Sequence, residues 1–200
     1  MDRKSIRLKG YDYSQEGFYF ITICVNYKLC LFGEIENGNM ILNSAGKMVD
    51  EWYYELENKF QNIKCHEKII MPNHFHCIIQ IVGADLCVCP NVNIQDDFKF
   101  KGVHQIDNGI NPIIQGVHRI NKGVHIGTPL PSVIQWFKTM TTNSYIKGVN
   151  HNGWERFNKK LWQRNYWEHI IRNEKEYQNI ADYIIDNPNR WDSDKLYFTE

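Results

Sequence analysis

The sequence predicts an α+β fold, and three observations carry that prediction. The run Phe18–Tyr27 (FYFITICVNY) is β-branched and aromatic nearly throughout, the composition of a strand. Met71–Ile79 (MPNHFHCII) places two histidines two residues apart in an apolar run just after a Pro-Asn turn. Elsewhere, apolar residues recur at helical spacing between capping and breaking residues. In a strand, successive side chains alternate faces. His74 and His76 therefore share one face, while Phe75, Cys77, Ile79 and Ile81 line the other and read as core. The expectation is a sheet with one wet face that carries two imidazoles.

In chain order, residues 1–10 hold Arg3, Lys4, Arg7 and Lys9 against a single acid. Such a segment is a solvated tail or an arm that grips phosphates. After strand 18–27, residues 30–35 and 39–42 flank Asn37-Gly38, the strongest short hairpin signal, and pair with each other. Asn43-Ser44 caps a helix over about 45–60 with Met48, Val49, Trp52, Tyr53, Leu56 and Phe60 on one stripe. Residues 63–70 form the next strand, and the His-x-His strand runs to about Gly83.

From 84 to 128 the texture changes. Four seven-residue units begin at Lys101, Asn108, Gln115 and Lys122, with glycine at 102, 109, 116 and 123. A glycine in every unit opposes a coiled coil, at roughly 1 kcal/mol each in a helix. Units this short also build no solenoid. The segment reads as a mobile low-complexity insertion that splits one domain into parts 1–83 and 129–200. His104, His118 and His125 recur within it, but the repeat alone accounts for their spacing.

Order resumes at Pro129. Ser132 caps a helix carrying Val133, Trp136, Phe137, Met140 and Tyr145, closed by Gly148. Residues 151–163 read as loop and a short strand, and 166–187 as a last helical region. Within it, Asn173 and Glu176 form a capping-box pattern and Pro188 forbids continuation, which bounds a helix over 174–186. Tyr177, Ile180, Ala181 and Ile184 are its core stripe. Tyr183 and Asn187 lie together on one face, roughly 90° from that stripe. A tyrosine there is commonly a packing residue that keeps its hydroxyl in water. It can also be a nucleophile at the sheet's margin.

Composition excludes several classes. Two hundred residues suit one domain, with or without an insertion. Lys plus Arg and Asp plus Glu number 23 each, so any nucleic-acid site must be a local patch. The six cysteines include the close-set Cys87 and Cys89, but no second pair follows to complete a zinc site. Cys24 and Cys77 sit in strands as small hydrophobes. With no signal core and no membrane-length run, a cytoplasmic protein with reduced thiols is expected.

From Arg3 to Trp191, the insertion aside, the sequence resembles a REP-associated tyrosine transposase. These belong to the single-strand transposases and relaxases named for a His-hydrophobic-His motif. The carrying words are SIRLKGYDY, FYFITIC, CLFGEI, MPNHFHCII, LWQRNYWEHIIRNEKEY and DYIIDNPNRW. The resemblance implies a ferredoxin-like, RRM-like antiparallel sheet with helices on one face and the histidine motif on a central strand. It implies a divalent cation, Mg²⁺ or Mn²⁺, held by His74 and His76. Tyr183 is the implied nucleophile, with Tyr166 and Tyr177 as competitors. Asn187, one turn past it, would complete the metal site where relatives often carry Gln. The implied reaction is cleavage and strand transfer at or near hairpins in single-stranded DNA through a 5′-phosphotyrosine. The alternative is a hairpin-binding protein of the same fold without catalysis. Expected partners are single-stranded or hairpin DNA and no membrane, with the chain a monomer or homodimer. Arg3, Lys4, Arg7 and Lys9 are expected to read DNA. Arg164 and Arg172, with Lys159 and Lys160, would track its backbone beside Trp162, Tyr166 and Trp167.

Overall fold

The computed structural model describes residues 8, 10–83, 127–194, 196 and 197. Arg3, Lys4, Arg7, Lys9 and nearly all of the 84–128 segment lie outside them.

The strand-forming runs become β1 (Gly17–Cys24), a separate hairpin of β2 (Gly33–Glu36) and β3 (Asn39–Leu42), then β4 (Ile63–Met71), β5 (His74–Ile81) and β6 (Trp167–Ile171). The helical stripes become α1 (Ser44–Lys59), α2 (Leu130–Asn152) and α3 (Glu174–Asp186), followed by a 3₁₀ helix over Asn187–Ser193. The four-stranded sheet is antiparallel with order β4-β5-β1-β6. With α1 connecting β1 to β4 and the chain after β5 returning through α2 to β6, this is the ferredoxin-like α+β arrangement. The histidine strand β5 is an inner strand, as expected. Among the described residues no helix is long and apolar enough to cross a membrane.

Local chemistry explains the elements. Asn37 and Gly38 both take positive φ (50° and 74°), as a two-residue hairpin loop of the β2–β3 type requires. Asn43 caps α1 through its Oδ1, which accepts from Gly46 N at 2.9 Å. The main core lies between the sheet and α1 and α2, and includes Tyr19, Ile21, Ile23, Tyr53, Phe75 and Phe137. Between Cys65 and Lys68 the β4–β5 register slips. The Tyr53 hydroxyl fills that bulge, donating towards Ile78 O (2.8 Å) and accepting from His66 N (3.1 Å).

Several expectations are corrected. The 166–187 stretch is not helical throughout. Trp167–Ile171 (WEHII) pairs with the free edge of β1, and only from Glu174 does a helix start. These residues are largely aromatic and β-branched and suit a strand, and the vacant ladder beside β1 pairs them. α2 starts at Leu130, not Ser132, and continues past Gly148 to Gly153, which takes the left-handed terminal position (φ 70°). Gly148 is there for packing: a Cβ on it would meet Trp154 Cε3 at 2.1 Å. β1 ends at Cys24 because Tyr27 and Lys28 turn to positive φ.

The imidazole face is also not open to water. α3 lies across it, burying Ile78, Ile171, Ala181 and Ile184 in a second, smaller cluster. Cys24, in register with His74, faces that side rather than the main core.

Candidate functional site

The two-residue Pro72-Asn73 turn delivers β5 with His74 and His76 on the α3 side, 0% and 2% exposed. Each ring is held by its Nδ1. Asn73 Nδ2 donates to the carbonyls of Leu196 (2.9 Å) and Lys28 (3.3 Å), which turns Asn73 Oδ1 towards His74 Nδ1 at 2.7 Å. An oxygen there accepts, so the proton of His74 sits on Nδ1 and the Nε2 lone pair is free. Across the ladder, Thr22 Oγ1 lies 2.7 Å from His76 Nδ1 and can hold that ring in the same state. Phe20 stacks on the His76 ring, with centroids 5.3 Å apart.

Both imidazoles are neutral at pH 7. Burial pulls His74 down to about 4, against the opposing pull of the Asp194 carboxylate. Burial, then the charge of His74, holds His76 well below its usual range.

α3 and the 3₁₀ helix close the site from above. Tyr183 directs its hydroxyl to 3.4 Å from His76 Nε2. Asn187, at the end of α3, is 1% exposed, and neither of its side-chain polar atoms has a hydrogen-bond partner. Nor has the buried His74 Nε2. Asp194 Oδ1 accepts from Leu196 N at 2.7 Å, leaving Oδ2 4.0 Å from His74 Nε2. Ligand atoms of His74, His76 and Asp194 all lie within 4.8 Å of one another. Buried polar atoms without partners are costly. Two imidazole lone pairs, a carboxylate and an amide on one point form a donor set that suits a divalent cation.

The site opens into a cavity of about 760 Å³ lined by Phe20, Tyr166, Trp167, Tyr183 and Arg190 among others. The predicted residues distribute unevenly. His74, His76, Tyr183 and Asn187 converge. Tyr166 lines the cavity wall, and Arg164 lies three residues before Trp167. Arg172 sits at the far end of β6, about 16 Å along the strand from Trp167. Tyr177 is engaged elsewhere, donating to Glu67 Oε2 (2.5 Å) and touching His66 Nδ1 (3.2 Å). Trp162 is core, bonded through its indole N–H to Thr141. Two contributors were not foreseen. Asn73 was legible, standing beside His74 in the turn. Asp194 carries no local signal, since it lies eleven residues past Tyr183 beyond a proline.

No family model matches the chain. It is 37% identical over 198 residues to an uncharacterized protein of Haemophilus influenzae, a match spanning 98% of this chain and 93% of that protein. Over 30 residues it is 53% identical to the REP-associated tyrosine transposase of Escherichia coli, 15% of this chain and 18% of that one. A solved structure of a REP-associated tyrosine transposase bound to a REP hairpin matches with a TM-score of 0.51. That match is 18% identical, covers 95% of this chain and 74% of that chain, and shows a shared fold.

Proposed function

We propose, for a chain that belongs to one family with the Haemophilus influenzae protein and shares its fold with a REP-associated tyrosine transposase, that it is a metal-dependent single-strand DNA endonuclease and strand transferase with Tyr183 as nucleophile. The observation that carries this reading is the convergence of the Tyr183 hydroxyl, 3.4 Å from His76 Nε2, on a buried His74–His76–Asp194 cluster.

His74 and His76 through Nε2, with Asp194 and Asn187, would hold Mg²⁺ or Mn²⁺. A bound divalent cation polarises a phosphoryl oxygen, worth several kcal/mol of charge stabilisation. The chain's own residues do the rest. Phe20 and Thr22 fix the His76 ring, and Asn73 fixes that of His74. α3 presents the Tyr183 oxygen to the phosphorus. That oxygen forms a new P–O bond while the bond from phosphorus to the 3′-oxygen breaks. The products are a 5′-phosphotyrosine and a 3′-hydroxyl, and the phosphodiester energy is kept for rejoining. Without a cation, burial and then the Asp194 charge push the phenol above its ordinary value near 10. Hairpin DNA with a flanking single strand is the substrate class, and residues 84–128 form an insertion between β5 and α2.

The test is incubation of labelled single-stranded and hairpin DNA with Mn²⁺. A covalent protein–DNA adduct is expected, absent in Tyr183→Phe and retained in Tyr166→Phe and Tyr177→Phe. Loss of the adduct in either of the latter alone would overturn the assignment. Binding that neither chelator nor Tyr183→Phe weakens, with no adduct, would make the protein a hairpin binder.

A further inference from the structure

The row of paired residues that contains His76 ends on an uncovered tryptophan. His76 pairs with Thr22 on β1, and Thr22 pairs with Trp167 on β6. Directly paired residues project from the same face. Trp167 therefore stands on the imidazole face two strands away, about 10 Å from His76 at the usual strand spacing. It is 59% exposed, whereas the other five tryptophans are buried or half-buried. Trp167 lines the cavity into which Tyr183 and His76 open.

A second groove, of about 330 Å³, adjoins that cavity, with Gln163 lining both. Its walls carry Lys138, Lys159, Lys160 and Arg164 and neither Asp nor Glu. Among the described residues no ion pair involves Lys159, Lys160 or Arg164. The groove is firmly mounted. Gln163 N donates to Cys24 O (2.9 Å), and Asn26 N donates to Leu161 O (2.7 Å). From α2, Lys138 Nζ donates to the carbonyls of Gln163 (2.6 Å) and Arg164 (3.1 Å). An exposed aromatic face followed by a run of unpaired cations, beginning at the nucleophile, matches the alternation of base and phosphate in a single strand. A duplex would keep its bases stacked inside and leave the indole uncovered.

We propose that the strand leaves the tyrosine site across β6, with one base stacked on Trp167 and the next phosphates in the Lys159–Lys160–Arg164 groove. The stacked base lies at most about three nucleotides from the scissile phosphate, given about 10 Å and a 3.4 Å rise per stacked nucleotide. This inference rests on the reading of Tyr183 as nucleophile, but its test does not require cleavage.

The measurement is fluorescence anisotropy in the Tyr183→Phe background with Mn²⁺, using a fluorescein-labelled 20-nucleotide mixed-sequence strand and the matching duplex. A parallel set of strands carries 2-aminopurine at successive positions. Trp167→Ala should weaken single-strand binding on the order of tenfold and relieve 2-aminopurine quenching, with Trp167→Phe recovering most of both. Lys159→Gln with Lys160→Gln should lower the slope of log affinity against log salt by about 0.7 per cation removed. Unchanged affinity and quenching in Trp167→Ala, an unchanged slope in the lysine pair, or equal sensitivity of the duplex would overturn the path. If wild type forms no adduct yet these shifts appear, the path stands and the catalytic reading falls.

Discussion

Thr22→Val tests whether the ladder partner of His76 sets up the site. Valine keeps the shape and strand propensity of threonine but removes the oxygen 2.7 Å from His76 Nδ1. Both residues are buried, at 8% and 2% exposure. The substitution therefore leaves an imidazole N–H without an acceptor, a cost of about 1–3 kcal/mol. For a chain of this size, that lowers Tm by about 2–4 °C per kcal/mol. The ring also loses the partner that keeps its proton on Nδ1, and loss of such a partner costs about 10- to 100-fold in metal affinity. At a Mn²⁺ concentration one hundred times the wild-type Kd, binding stabilises wild type by about 2.7 kcal/mol. At the same concentration the variant should gain only about 0.4–1.4 kcal/mol. Thermal melts with and without Mn²⁺, beside a direct Mn²⁺ titration, read both quantities. A variant that loses stability but keeps the full Mn²⁺-dependent rise in Tm would refute the role given to His76 Nε2. One that loses neither would refute the hydrogen bond.

Asp194→Asn keeps an acceptor for Leu196 N but removes the anionic donor that the described residues bring to the cluster, so Mn²⁺ affinity should fall at least tenfold with little change in the metal-free melt. An unchanged titration would remove Asp194 from the site. Gly148→Ala should destabilise the fold by about 1–3 kcal/mol in urea, although alanine is the better helix former, because its methyl collides with Trp154. Asn173→Ala should cost about 1 kcal/mol, since Asn173 Oδ1 accepts from Glu176 N at 2.9 Å to start α3. A chevron or urea curve that matches wild type would contradict that cap. At the same helix start, bonds from Arg172 N and His169 hold the Glu176 carboxyl below its usual range. Its contribution is thus present above the unfolded-state value, about 4.3, and disappears as pH falls through the lower folded value. Glu176→Gln should accordingly flatten the acid limb of the stability–pH curve, and an unaltered limb would show the contact to be idle.

Periodicity and punctuation in the sequence determine much of this molecule. The two-residue alternation in β5 sets His74 and His76 on one side and Phe75, Cys77 and Ile79 on the other, whatever packs against them. Asn-Gly at 37–38, Asn43, the Asn173–Glu176 pair and Pro188 mark the hairpin and the bounds of α1 and α3 through local hydrogen bonds and φ restrictions. The 3.6-residue stripe of α3 puts Tyr183 and Asn187 on its flank. Pairing and long-range approach belong to the tertiary structure. WEHII suits a strand by composition but carries no signal that separates it from the helix after it; an open ladder on β1 makes it one, and so sets Trp167 in line with His76. That α3 roofs the imidazole face depends on Ile184 and Ala181 finding Ile78 across about one hundred residues of chain. Asp194 enters the site only because the 3₁₀ helix Asn187–Ser193 folds back and Asn73 grips Leu196. Local signals decide conformations that short-range sterics and hydrogen bonds can select. Which distant groups share a desolvated pocket is decided by how whole elements bury their apolar faces, and no window of sequence contains that information.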